Sequence, residues 1–411
     1  MTQQTSVPTN TKTIDELLER SIFQILPSKE ALKKELLSGR RLRIYIGADA
    51  TGPDLHIGHS TNFILLEKLR KLGHEVIVLF GDFTAQIGDP TEKDSTRSAL
   101  SAGEVQKNMS SWKKQIAPIL SFSDKKNPAK VFKNSKWLSK LTFSDVLKLA
   151  ASFTVQQMIE RDMFEKRMKA GKPIYLHEFL YPLMQGYDSV AMDVDVEIGG
   201  SDQIFNMLAG RTLQKKYNNK EKFVVATTLL ENPLTGKKLM SKSEGGYIAL
   251  SDLPSDMYGK IMALPDQVIT QVFTDCTLVS PEEIARVIKY LAEGKNPRDI
   301  KMKLAREIVS LYYREQKALK TEEGFIATFQ KKEFPVDAEE IIVEVGALLN
   351  TVLVQKRFVA SNSEFRRLIQ EGAVKDLRTG KKIDDPYFKI MDSLDIKIGK
   401  RKFLRIKLNH S

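Results

Sequence analysis

Residues 41–49 read RLRIYIGAD, residues 58–72 read GHSTNFILLEKLRKL, and residues 76–82 read VIVLFGD. The first stretch has the pattern of a strand ending in a glycine turn. The second carries apolar positions at helical spacing, and Gly73-His74 closes it. The third is a strand of the buried type. Strand, helix and strand in this order form the kernel of a parallel sheet with right-handed crossovers. Ligands of such sheets sit beyond the carboxyl ends of the strands, here the loops at 47–57 and 81–97.

Working outward, residues 14–38 have the pattern of short amphipathic helices, broken at Pro27 and closed near Gly39. Residues 104–190 read as a helical insertion between two halves of the sheet, with a loop near 121–135. Strands at roughly 193–198 and 222–230 bracket a helix that begins near Asp202. A lysine-rich loop follows at 236–246, then helices to about 332, with Ser280-Pro-Glu-Glu283 as a capping box. Pro335 and the acidic stretch to Glu344 read as a linker.

The chain has 411 residues, enough for two or three domains, and its 42% hydrophobic content fits packed cores rather than disorder. Its net charge of +12 favours a polyanionic partner. Residues 351–411 carry 15 Lys/Arg against 7 Asp/Glu, so +8 of that +12 lies in a C-terminal module. Cys276 is the one cysteine, which excludes an intrachain disulfide and a thiolate zinc site. The stretch MTQQTSVPTNTK at 1–12 is polar. No run approaches the roughly 18–20 apolar residues of a membrane span. A soluble protein of the cytoplasm, with no membrane partner, is expected.

Chemistry is carried first by Asp54-Leu-His56-Ile-Gly58-His59, between a strand and a helix start. Two imidazoles at a helix N-terminus suit a phosphate chain, which they and the free N–H groups would hold. Gly58 would let a flat base approach the backbone. Taken alone, such a string is more often two surface histidines. The second motif is Gly236-Lys-Lys238-Leu-Met240-Ser-Lys242-Ser243. A loop of this composition can neutralise charge developing on a leaving pyrophosphate. In this order and at this separation, the two motifs resemble the HIGH and KMSKS signatures of class I aminoacyl-tRNA synthetases. One departure is Leu239, which occupies the place of the first lysine; Lys238 lies one residue earlier, and Lys242 keeps the second place.

The resemblance narrows to the tyrosyl branch of that class, of bacterial type. Tyr45-Ile-Gly-Ala-Asp49 looks like its YxGxD element, Tyr181-Pro-Leu-Met-Gln185-Gly-Tyr-Asp188 like YxxxQxxD, and Gly199-Gly-Ser-Asp202-Gln203 like its ribose-binding turn. Gly88-Asp89-Pro90 with Lys93 and Arg97 matches the loop on the amino-acid and phosphate side. The stripe formed by Tyr181, Gln185 and Asp188 falls on one helix face. The family places Tyr181, Gln185 and Asp89 on the substrate ammonium, and Asp188 with Tyr45 on its phenol hydroxyl. Phenylalanine would leave that carboxylate unpaired, a costly state for a buried polar group. Asp49 and Gln203 would shape the pocket nearby. Thr51, His56, His59, Lys93, Arg97 and Lys242 would hold phosphates, Asp202 the ribose, and Gly58, Lys238, Met240, Ser241 and Ser243 the rest of ATP. Magnesium would arrive with ATP, with no protein metal cage.

The resemblance implies an α/β fold with a Rossmann-like parallel-sheet catalytic domain at 41–235, its helical insertion at about 104–190, and an N-terminal helical segment at 1–40. A helical anticodon-side domain would span 236–335, a linker 336–350, and a small α+β RNA-binding domain 351–411. In that last domain Arg366, Arg367, Lys400, Arg401 and Lys402 would grip a phosphate backbone. The expected partners are tyrosine, ATP and tRNA(Tyr), and a second copy of the chain through the insertion. A tryptophanyl enzyme would share both signatures but has no use for Asp188 and Tyr45 against a phenol. A non-catalytic RNA-binding relative would show decayed motifs, and a small nucleotidyltransferase would need no YxxxQxxD stripe.

Overall fold

A computed structural model describes residues 6–89, 100–160, 162–236, 238–240, 247–329, 338–399 and 402–409. The chain divides into two compact units, Met1–Asp252 with Leu264–Tyr312, and Leu253–Ala263 with Tyr313–Ser411.

The first unit is built on a sheet of β1 (Ile22–Leu26), β2 (Arg43–Asp49), β3 (Glu75–Gly81), β4 (Lys130–Lys133), β5 (Val196–Gly200) and β6 (Phe223–Thr227). Their order is β1-β6-β5-β2-β3-β4. β1 is antiparallel to β6, and the other pairs are parallel. β3 reads as a continuous apolar run because both faces of a parallel sheet are covered; Val76 to Leu79 are all buried. From β2 the chain goes to β3 and β4, then returns to β5 on the opposite side of β2. The loops leaving β2 and β5 therefore diverge, which opens a crevice at their carboxyl ends. The register sets Tyr45 of β2 beside Ile77 of β3 and Glu197 of β5. Three helices frame this crevice: Ile57–Lys71 after β2, Leu176–Met192 before β5, and Ile204–Asn218 between β5 and β6. Further on, the side chain of Ser280 accepts from the Glu283 N–H at 3.3 Å, capping the helix Pro281–Ala292.

Three strands lie where the sequence suggested none. β1 interrupts the N-terminal helices: Ser21 takes a left-handed φ of 61° and Pro27 bars helix on the other side, leaving a short strand in which Ile22, Gln24, Ile25 and Leu26 pair with β6. β4 lies inside the expected loop and helical insertion. Its sequence KVFK is short and lysine-flanked, as suits a sheet edge, and shows no apolar alternation. β7 (Glu339–Val343) occupies the expected linker, where its two leading glutamates masked a strand.

In the second unit β7, β8 (Val374–Asp376), β9 (Leu394–Ile398) and β10 (Lys402–Leu408) stand in order β7-β10-β9-β8. β7 runs parallel to β10, and β9 is antiparallel to both β8 and β10. The sheet packs with the helices Leu349–Gln355 and Asn362–Gln370 around Leu353, Phe365, Ile396 and Leu404, all buried. Ser361 caps the second of these helices by accepting from the Glu364 N–H at 3.2 Å.

Candidate active site

A cavity of about 840 Å³ opens at the carboxyl ends of β2 and β5. It brings together side chains from both halves of the sheet and from the helix Leu176–Met192. Tyr181, Gln185 and Asp188 all face it from that helix, as their spacing predicts.

At the inner end, Asp188 is buried and its two oxygens accept from Trp137 Nε1 at 2.7 Å and Asn134 Nδ2 at 3.3 Å. Burial pushes its carboxyl well above the usual range, against the pull of those two donors. The Tyr45 hydroxyl lies 3.0 Å from Ser189 Oγ. Burial, and then the charge of Glu197, hold that hydroxyl firmly protonated. Asp49 at the end of β2 accepts from Thr84 Oγ1 at 2.6 Å and from the Tyr181 hydroxyl at 2.8 Å. Gln203 Nε2 donates to Asp89 at 2.9 Å, and Gln185 Nε2 donates to Glu197 at 3.1 Å.

The outer end is arranged around a helix start. His56 is the N-cap of the helix Ile57–Lys71; its N–H donates to His59 Nδ1 at 3.2 Å, and the two rings lie 3.9 Å apart. Ile57 N–H donates to the Ile248 carbonyl at 3.0 Å, and Leu250 N–H to that of Leu55 at 2.8 Å. The histidine motif is thus stitched to the segment that follows the lysine loop. This corrects one expectation: the Ile57 N–H at the helix start is committed to Ile248 and not open to a phosphate. Thr51 lines the cavity. Gly58 lets the His56 ring pack closely here: a Cβ would lie 3.0 Å from His56 Nδ1, and the ring would have to give by a few tenths of an ångström.

Within the first part of the lysine loop, Leu239 N–H donates to the Leu230 carbonyl at 2.9 Å, and Lys238 Nζ reaches Asp202 Oδ2 at 2.9 Å. A lysine expected among the ATP-binding residues therefore lies on the carboxylate expected on ribose. Ser241, Lys242 and Ser243 lie outside the described residues, as do Pro90, Lys93, Arg97, Lys400 and Arg401. Among the described residues no group of three or more His, Cys, Asp or Glu side chains is placed to hold a metal ion. Nor is any helix among them long and apolar enough to cross a membrane.

In the second unit, Arg366 donates to the Tyr387 hydroxyl at 3.1 Å with its guanidinium 5.8 Å from the ring centroid. Arg367 lies 3.8 Å from Glu371, and Lys402 Nζ donates to the Phe358 carbonyl at 2.5 Å.

Sequence reading missed Thr84, Asn134, Trp137, Ser189, Glu197 and Lys222. Asn134 lines the cavity and Trp137 meets Asp188 behind it because β4 pairs with β3 and delivers them beside that carboxyl. The segment at 121–136 is anchored by Asn127, whose amide donates to the carbonyls of Arg70 and His74 at 2.9 Å each. No local pattern marked these residues; only Glu197 carried a hint, as a charge inside an otherwise apolar strand.

A model of the class I tRNA synthetases (W and Y) matches residues 37–330, and the chain belongs to that family. Within it, the chain is 44% identical to the tyrosine–tRNA ligase of Carboxydothermus hydrogenoformans, over 95% of this chain and 97% of that one. It is 42% identical to the tyrosine–tRNA ligase of Moorella thermoacetica, over 95% and 94% of the two chains. Its fold is that of a C-terminally truncated mitochondrial tyrosyl-tRNA synthetase of Aspergillus nidulans, with a TM-score of 0.66 at 23% identity over 77% of this chain and 94% of that one. The tyrosyl-tRNA synthetase of Archaeoglobus fulgidus, solved with L-tyrosine, gives 0.59 at 21% identity over 76% and 100%.

Proposed function

We propose that this chain is a tyrosine–tRNA ligase. The observation that carries the reading is the inner end of the cavity, where the buried Asp188 carboxyl and the Tyr45 hydroxyl offer paired polar groups to a phenol. An indole has no hydroxyl to meet them. In the first step a tyrosine carboxylate oxygen attacks the α-phosphorus of ATP, the bond to the bridging oxygen breaks, and pyrophosphate leaves. A carboxylate is a nucleophile at neutral pH, so this step needs positioning and charge stabilisation rather than a general base. Tyr181, Gln185 and Asp89 would hold the ammonium, with Asp49 and Gln203 fixing Tyr181 and Asp89. His56, His59, Thr51, Lys93, Arg97 and Lys242 would meet the phosphates, and Asp202 the ribose. Magnesium enters as part of the ATP substrate. In the second step a ribose hydroxyl of the terminal tRNA adenosine takes the tyrosyl group and AMP leaves.

The basic second unit, with Arg366, Arg367, Lys400, Arg401 and Lys402, would hold tRNA(Tyr) through its phosphates. Exposed Phe143, Leu147, Val155 and Leu176 in the insertion support a homodimer through that segment. The cytoplasm is the compartment this function implies. ATP–pyrophosphate exchange with each of the twenty amino acids tests the reading: tyrosine alone should drive it. Exchange driven by tryptophan, or by none, overturns it.

A further inference from the structure

We propose that Glu197, Lys222 and Ser189 form a buried positioning network behind the amino-acid pocket that orients the Gln185 amide and the Tyr45 hydroxyl, and so sets tyrosine affinity and selectivity. The inference rests on the tyrosine reading above.

The three residues come from separate elements and are all buried: Glu197 from β5, Lys222 from the residue before β6, and Ser189 from the helix that carries Asp188. Lys222 Nζ pairs with Glu197 Oε2 and donates to Ser189 Oγ at 2.9 Å. Ser189 Oγ lies 3.4 Å from Glu197 Oε2 and 3.0 Å from the Tyr45 hydroxyl. Glu197 Oε1 accepts from Gln185 Nε2 at 3.1 Å.

Donor and acceptor roles follow from chemistry alone. A carboxylate only accepts, so the Gln185 NH2 must face Glu197. That turns the amide carbonyl the other way, and a carbonyl oxygen is the group a substrate ammonium needs. An ammonium only donates, so Ser189 accepts from Lys222 and has one proton left for Tyr45 or for Glu197. The Tyr45 hydroxyl is thereby tied through Ser189 to the Lys222–Glu197 pair. Gly210, on the neighbouring helix, makes room for the network. A Cβ there would collide with Lys222 Nζ and lie 2.7 Å from Ser189 Oγ and 3.2 Å from Glu197 Oε2. Burial lowers the proton affinity of Lys222, and Glu197 opposes that shift. Neither charge would be stable there without the other.

A purely structural ion pair would affect folding and leave substrate discrimination alone. The test is pyrophosphate exchange with Glu197→Gln, Lys222→Met, the double variant and the milder Ser189→Ala, alongside thermal melts. Glu197→Gln lets the Gln185 amide turn over, and should raise the tyrosine KM about tenfold, the scale of one buried hydrogen bond. The ATP KM should stay near wild type, and tyrosine-over-phenylalanine selectivity should fall. The double variant leaves no lone buried charge, so it should recover melting temperature without recovering tyrosine KM. Should both single variants fail to fold, the double variant and Ser189→Ala decide, the latter with a tyrosine KM raised a few-fold. Wild-type tyrosine KM and selectivity in the folded variants overturn the network. Absence of tyrosine-dependent exchange in the unsubstituted protein overturns the functional reading instead.

Discussion

At the inner end of the cavity the polar groups are held by other side chains. Asp188 has donors from Trp137 and Asn134, Asp49 from Thr84 and Tyr181, and Gln185 is turned by Glu197. At the outer end the histidine motif is tied by main-chain hydrogen bonds, from Ile57 to Ile248 and from Leu250 to Leu55, and its main chain is braced by Gln115, which accepts from the Leu55 N–H at 2.9 Å. The difference matches what each end must do. Selecting one side chain among twenty needs donors and acceptors whose directions are fixed before binding. Stabilising a charge that develops during reaction needs cations and N–H groups aimed at a phosphate chain, which every ATP presents alike.

The comparison can be broken by substitutions at either end. His56→Ala should lower the rate of tyrosine activation by roughly tenfold to a thousandfold with tyrosine binding little changed, the scale of a lost transition-state donor. Exchange at the wild-type rate would remove His56 from the chemistry, and Lys242→Ala should behave alike. Asp188→Asn should do the reverse, lowering tyrosine-over-phenylalanine selectivity about ten- to a hundredfold while sparing the ATP KM. Burial raises the Asp188 carboxyl, so its ionised form, the better acceptor for a phenol, is gained as pH rises through that raised value. Tyrosine KM should therefore fall with rising pH in the wild type and be flat in Asp188→Asn; parallel profiles would dismiss the carboxylate.

Gly210→Ala sharpens the inner end. Overpacking against the buried pair should cost about 1–2 kcal/mol in chemical denaturation, even after the roughly 1 kcal/mol gained in helix propensity. Unchanged or higher stability would mean that the pair has slack. The smallest effect is expected for Lys238→Met. Its bond to Asp202 is a partly exposed ion pair of the kind worth about 0–1 kcal/mol, so the ATP KM should move by less than about fivefold. A loss of kcat as large as that of His56→Ala would show that Lys238 serves where Leu239 replaces the usual lysine.

Much of the first unit was legible in the sequence. β2, the helix after it and β3 were clear because an apolar run, a glycine turn and a helical stripe are local signals. β1 and β7 were hidden for opposite reasons. β1 lies between two helical stretches, and β7 opens on charges; each becomes a strand through a partner far along the chain, β6 for one and β10 for the other. The Tyr181, Gln185 and Asp188 stripe was readable because helical spacing alone aligns it. Trp137 and Asn134 were not, since they follow a four-residue edge strand whose two apolar residues between lysines leave almost no pattern.

The sequence by itself determined the chemistry: two signature motifs in order, and Tyr45 with Asp188 to choose the amino acid. These lie in strand ends, turns and helix faces, where short-range geometry fixes what a residue can face. Only the tertiary structure decided what stands behind them. Glu197, Lys222 and Ser189 are scattered over a strand, the residue before another strand and a helix, and look like ordinary polar residues until the sheet closes over them. Burial then leaves the charges of Lys222 and Glu197 to meet each other, and a buried charge must be paired or its element does not pack.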